Sequence, residues 1–179
     1  MDRELVLRAM AEFEGPLLVY ARRLLGDADL ARDCVQDTFT RLWQADRNQV
    51  EAHLRAWLYT VCRNRAHDHL RKESRMTALT DASLDGFTAR HQPGQSPARE
   101  EKSDLVPDGE LARLVSALPG RQQEAVRLRF QSGLSYREIA EVMQTTVNNV
   151  GVLLHSAILS LRRQIESPLP ALVADSHHR

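Results

Sequence analysis

The stretch SYREIAEVMQTTVNNVGVLLHS, residues 135–156, decides how the chain is read. Ser135 with Glu138 three residues on is a capping box, which marks a helix start. Thr145 or Thr146 caps the next helix, which continues as VNNVGVLLHSAILSLRRQIE before Pro168. A short capped helix, a turn and a longer helix make a helix-turn-helix. Val150, Leu153, Leu154, Ala157, Ile158 and Leu161 give the second helix its apolar face. From Thr145 to Ser156, however, there is no Lys or Arg, and only His155 can become positive. Gly151 costs about 1 kcal/mol in a helix interior, which suggests close approach of another group or a tolerated flaw.

Upstream of this motif, GELARLVSAL and RQQEAVRLRFQ read as two further helices, separated by Pro119-Gly120 and ended by Gly133 as a C-cap. From about Ser74 to Asp108 the periodicity is lost. Pro93, Gly94, Ser96, Pro97, Pro107 and Gly109 punctuate an acidic stretch that reads as a flexible linker, with a short helical turn at Asp81, Ser83 and Leu84. Before residue 75 the chain is helical again. Leu5, Val6, Met10, Phe13, Leu17, Leu18, Ala21, Leu24 and Leu25 recur at spacings of three and four. Gly26 and Asp27 interrupt, Asp29 marks the next N-cap region, and ADLARDCVQDTFTRLWQ places Ala31, Val35, Phe39 and Leu42 on one face. Polar ADRNQ, 45–49, breaks the pattern. In EAHLRAWLYTVCRNRAHDHLRK, Leu54, Trp57, Leu58, Val61 and Cys62 form one stripe, and Arg55, Tyr59, Arg63, His67 and Arg71 line the other side. The expected fold is all-α: two small helical domains, 1–75 and 109–168, joined by a linker, 76–108, with a tail at 169–179.

The 179 residues carry equal numbers of basic and acidic side chains, which argues against a protein that seeks DNA unaided. The charge is distributed in blocks: net −3 over 1–52, +4 over 53–75, −4 over 76–110 and +3 over 111–179. Such alternation lets one block meet a large partner and another meet nucleic acid. No apolar run reaches 18 residues, so no membrane insertion is expected, and MDRELVLRAMAEFEG lacks a signal-peptide core. The cytoplasm is the expected compartment, and Cys34 and Cys62 fit packed, reduced thiols. Cys62, His67 and His69 do not share one helical face, so neither metal nor cofactor is expected. No nucleophile–base set, phosphate-cradling loop or paired-carboxylate pattern points to an enzyme.

ARDCVQDTFTRLWQ followed by HLRAWLYTVCRNRAHDHLRK resembles domain 2 of the extracytoplasmic-function sigma factors, with Trp57, Leu58, Asn64, Asp68 and Arg71 at the family's spacing. LPGRQQEAVRLRFQSGLSYREIAEVM with a helix ending SLRR resembles their domain 4. The resemblance spans nearly the whole chain apart from the linker and the last dozen residues. It implies a subunit that binds core RNA polymerase, directs it to promoter DNA and helps melt the −10 element, with an anti-sigma protein as a further partner. On that resemblance Asp33, Gln36, Asp37, Phe39, Leu42 and Trp43 lie on or beneath the face that docks polymerase. Asp46, Arg47, Asn48 and Gln49 form a loop that holds an unstacked −10 base. Tyr59, Arg63, Asn64 and Arg71 handle the non-template strand.

Residue chemistry agrees with this allocation, because melted DNA presents base faces and a phosphate track. Tyr59 would supply a stacking surface, and Arg63, Arg65, Arg71, Lys72 and Arg75 the track. The plainer reading makes Trp43 and Trp57 core residues, Asn64 and Asp68 partners within the helix pair, and the basic run a solvated helix end. The uncharged reading helix departs from the family, since Gly151, Val152, Leu153 and Ser156 stand where Lys, Ser, Arg and Arg are common. Phosphate grip is then expected from Arg121, Arg137, Arg162 and Arg163, with Thr146, Asn148 and Asn149 at the helix start and Val152 against a thymine methyl. The same missing charge admits an alternative, a sigma-like decoy that binds an anti-sigma protein without recognising promoters.

Overall fold

The computed structural model describes residues 3–81 and 109–166, and its regular structure there is helical throughout. The order is α1 (Arg3–Leu25), α2 (Ala28–Gln44), a short α3 (Arg47–Val50) running into a 3-10 turn (Glu51–His53), and α4 (Leu54–Asp81). After the linker come α5 (Gly109–Ser116), α6 (Gly120–Phe130), α7 (Tyr136–Val142) and α8 (Val147–Glu166).

Local chemistry sets the boundaries. Gly26 takes φ +72°, where glycine has no Cβ penalty, and its N–H closes α1 on the Arg22 carbonyl at 2.8 Å. Asp27 then caps α2, its Oδ1 accepting from the amides of Asp29 and Leu30, both at 2.8 Å. The cap therefore lies two residues before the Asp29 expected from sequence. Pro16 sits inside α1 without breaking it. Pro16 and Glu12, the residue whose carbonyl loses its i+4 partner, are both exposed, so water can take that bond. Helix α4 runs on to Asp81, past the boundary expected at residue 75, because nothing from Met76 to Asp81 breaks it. Asp81 thus ends a long helix. Ser83, Leu84 and the rest of the linker and tail expectations lie outside the described residues.

The helix-turn-helix closes as its sequence predicts. Gly133 takes φ +67°, and the amides of Ser132 and Leu134 bond back to Arg127 at 3.1 Å and Leu128 at 3.0 Å. Both arms of the capping box form: Glu138 N–H to Ser135 Oγ at 3.3 Å and Ser135 N–H to Glu138 Oε2 at 2.7 Å. Of the two candidate threonines, Thr146 caps α8, accepting from Asn149 N–H at 3.2 Å.

Helices α1, α2 and α4 pack as one bundle, and α6, α7 and α8 as a second with α5 against it. Leu17, Leu42 and Leu58 are among the fully buried side chains of the first bundle, and Leu128, Ile139, Val150 and Leu154 among those of the second. Cys34 and Cys62 face each other across α2 and α4 as buried thiols, their sulfurs 3.8 Å apart. The bundles are not separate bodies. Helix α7 packs on α4, and one buried apolar cluster runs through both halves. Among the described residues no helix is long and apolar enough to cross a membrane.

Candidate polymerase and promoter surfaces

Helix α2 sorts its side chains as amphipathic spacing requires. Phe39 and Leu42 point into the core at 6% and 0% exposure, while Asp33, Gln36 and Trp43 face solvent. Asp37 is half-buried and paired with Arg41 at 3.2 Å and Arg65 at 3.0 Å. Trp43, at 52% exposure, is unusual for so large an aromatic. It ends an open, mainly apolar groove of about 620 Å³ between α1 and α2. Val35, Gln36, Phe39 and Thr40 line one wall, and Val6, Met10, Glu14 and Leu18 of α1 line the other. The sequence reading found the α2 wall only, because Met10 and Leu18 share the apolar stripe of the α1 core residues.

Asp46–Gln49 is a capped turn rather than an open loop. The Asp46 carboxylate accepts from Asn48 N–H at 3.0 Å, Arg47 grips Glu51 through two hydrogen bonds of 2.8 Å, and all four residues stay exposed. Asn64 and Arg71 on α4 are also exposed, with Arg71 paired to Asp68 one turn back. Lys72 and Arg75 extend the same exposed end.

Tyr59 and Arg63 are placed differently. Tyr59 is 1% exposed and stands edge-on to Tyr20 with ring centroids 5.2 Å apart. It offers no free face for stacking in this arrangement, with the Tyr20 ring against it. The Arg63 guanidinium donates to Glu124 at 2.7 Å and 3.4 Å. Tyr20 donates to the same carboxylate at 2.8 Å. Burial would push the Arg63 pKa down, but the Glu124 carboxylate outweighs it and the net shift is upward. Tyr20 is raised well above the usual phenol range, first by burial and then by the Glu124 charge. Arg23 reaches Gln131, and Arg55 meets the Gly133 carbonyl at 3.4 Å, so several polar contacts join the halves. Sequence reasoning missed Glu124, although a carboxylate four residues before the buried Leu128 is the kind of misfit that asks for a partner.

On the helix-turn-helix, Asn148, Val152, His155 and Leu159 follow one another along the exposed face of α8. Arg121, Arg137, Arg162, Arg163 and Thr146 are exposed around it, so the flanking positive charge is available. Asn149 is half-buried and donates to Thr145 Oγ1 at 2.7 Å. A Cβ at Gly151 would meet nothing within 4 Å, so no neighbouring element requires the glycine. Among the described residues no group of three His, Cys, Asp or Glu side chains is placed to hold a metal.

The two bundles coincide with two family models. Residues 10–76 match Sigma-70 region 2, and residues 108–161 match Sigma-70 region 4. The chain is a sigma-70 family member. Among curated relatives, the ECF RNA polymerase sigma factor EcfG of Rhodopseudomonas palustris is 34% identical over 75% of this chain and 70% of its own length. The RNA polymerase sigma-H factor of Pseudomonas aeruginosa is 28% identical over 98% of this chain and 97% of its own. A solved structure of the sigma factor RpoE in complex with the anti-sigma factor NepR, from Bartonella quintana, shares the fold. Its TM-score is 0.64 at 24% identity, covering 91% of this chain and 98% of that one. Among sigma-70 proteins the chain is an extracytoplasmic-function member, an alternative sigma factor for transcription initiation by RNA polymerase. The decoy alternative is not favoured by relatives that are themselves sigma factors.

Proposed function

We propose that the groove between α1 and α2 docks core RNA polymerase in the cytoplasm, and that the two bundles then divide promoter recognition between them. The observation that carries this reading is Trp43, a half-exposed tryptophan at the end of an apolar groove within the region 2 match. Large aromatics in apolar clefts are the anchors around which protein interfaces concentrate their energy. Asp33 and Gln36 rim the same face and supply polar contacts.

Promoter contact is divided by chemistry. Asp46–Gln49 and the α4 residues Tyr59, Arg63, Asn64 and Arg71 serve the melted −10 strand, where phosphates and unstacked bases are exposed. Thr146, Asn148, Asn149 and Val152 read −35 base edges, with Arg121, Arg137, Arg162 and Arg163 on phosphates. The protein acts as a regulatory subunit with no reaction of its own, and an anti-sigma protein is its expected antagonist.

Run-off transcription with purified core polymerase and a promoter library tests the reading. Transcripts that start at a shared pair of promoter elements are expected. Absence of any promoter-specific transcript, together with tight binding to an anti-sigma protein, would return the decoy.

A further inference from the structure

Glu124 is a charged residue with 8% exposure, and the groups around it come from both halves of the chain. Tyr20 on α1 and Arg63 on α4 bond to it directly. Arg127, one turn further along α6, also feels its charge, and burial beside Arg23 holds the Arg127 pKa down to about 10. One carboxylate therefore balances a crowded set of arginines, and a strand phosphate would offer Arg63 the same charge-assisted oxygens. The Tyr59 ring is buried edge-on against Tyr20, whose hydroxyl bonds to the same carboxylate.

We infer that Glu124 is an internal stand-in for a DNA phosphate, holding the second bundle over Arg63 so that the free chain binds single-stranded DNA more weakly than the opened chain. The inference rests on the assignment of Arg63 and Tyr59 to the melted strand. The polymerase groove is left open by this closure. It uses Met10, Glu14 and Leu18, whereas the contact between bundles uses Tyr20 and Arg23, on another flank of α1. The closed chain can therefore dock polymerase first and engage melted DNA through Arg63 and Tyr59 only after the second bundle moves away.

The test uses the full chain, followed by small-angle X-ray scattering and by binding to a labelled single-stranded oligonucleotide rich in adenine and thymine at fixed salt. Glu124→Gln should expand the chain and tighten oligonucleotide binding by about 5- to 150-fold, the usual range for coupled equilibria. Tyr20→Phe, which removes one hydroxyl only, should shift both readouts the same way by less. It keeps the test decisive where Glu124→Gln folds poorly. Arg63→Gln should expand the chain without tightening binding, because the group that meets DNA is lost.

Unchanged scattering in both Glu124→Gln and Tyr20→Phe overturns the lock. An expanded Glu124→Gln chain that binds no tighter, while Arg63→Gln impairs open-complex formation with polymerase, overturns the occlusion and leaves the −10 assignment standing. Normal open-complex formation by Arg63→Gln removes the −10 assignment, and with it the occlusion.

Discussion

Leu42 and Trp43 are adjacent in sequence and opposite in consequence. Leu42 is fully buried, so Leu42→Ala should lower stability by about 2–5 kcal/mol in denaturant unfolding. Trp43 is half-exposed at the groove mouth, so Trp43→Ala should change stability by no more than about 0.5 kcal/mol. The same change should weaken binding to core polymerase by about tenfold or more, as loss of an interface anchor does. Wild-type affinity in that variant would remove the groove from the docking face. Asn149 presents a different balance. Its side-chain N–H is engaged by Thr145, so reading adenine means exchanging that bond or using the second amide hydrogen. Asn149→Ala should still weaken −35-dependent transcription, and an unaltered promoter strength and sequence preference would discount its role.

At the scale of elements, chain punctuation explains which helices the sequence predicts well. The start of α7 is written into Ser135 and Glu138, and Ser135→Ala should lower stability by about 1 kcal/mol in thermal unfolding. Gly151 lies inside α8 with open space around it, so Gly151→Ala should raise stability by about 1 kcal/mol. A loss instead would show that the glycine answers to a constraint within the fold. The end of α4 is not legible at residue 75, because a fading apolar pattern resembles a stop although no Gly or Pro stands there. Asp46–Gln49 reads as a loop because one capped turn is too short to show a period. The α2 half of the groove is legible through the family pattern. The α1 half is not, since Met10 and Leu18 share a spacing with residues that are simply core. Glu124 is legible as a misfit but not as a partner of Arg63, which lies 61 positions away.

The whole molecule carries no net charge at neutral pH, yet its alternating blocks fold so that an acid of the second half meets the basic helix of the first. The Arg63–Glu124 pair is only 14% and 9% exposed, so dissolved salt screens it weakly. Raising salt should therefore leave the scattering radius of the wild-type chain unchanged, while oligonucleotide binding by Glu124→Gln falls steeply. Expansion of the wild-type chain in moderate salt would show that surface charge, not the buried pair, holds the halves together. The burial of Arg63 also bears on supply. A cell holds far more exposed single-stranded nucleic acid, most of it RNA, than any one promoter bubble presents. A chain that displayed Arg63 as well as the exposed Arg71 would be titrated further onto that excess by mass action. With Arg63 folded inward, fewer copies are lost to that excess, and more of those not held by an anti-sigma protein remain for polymerase.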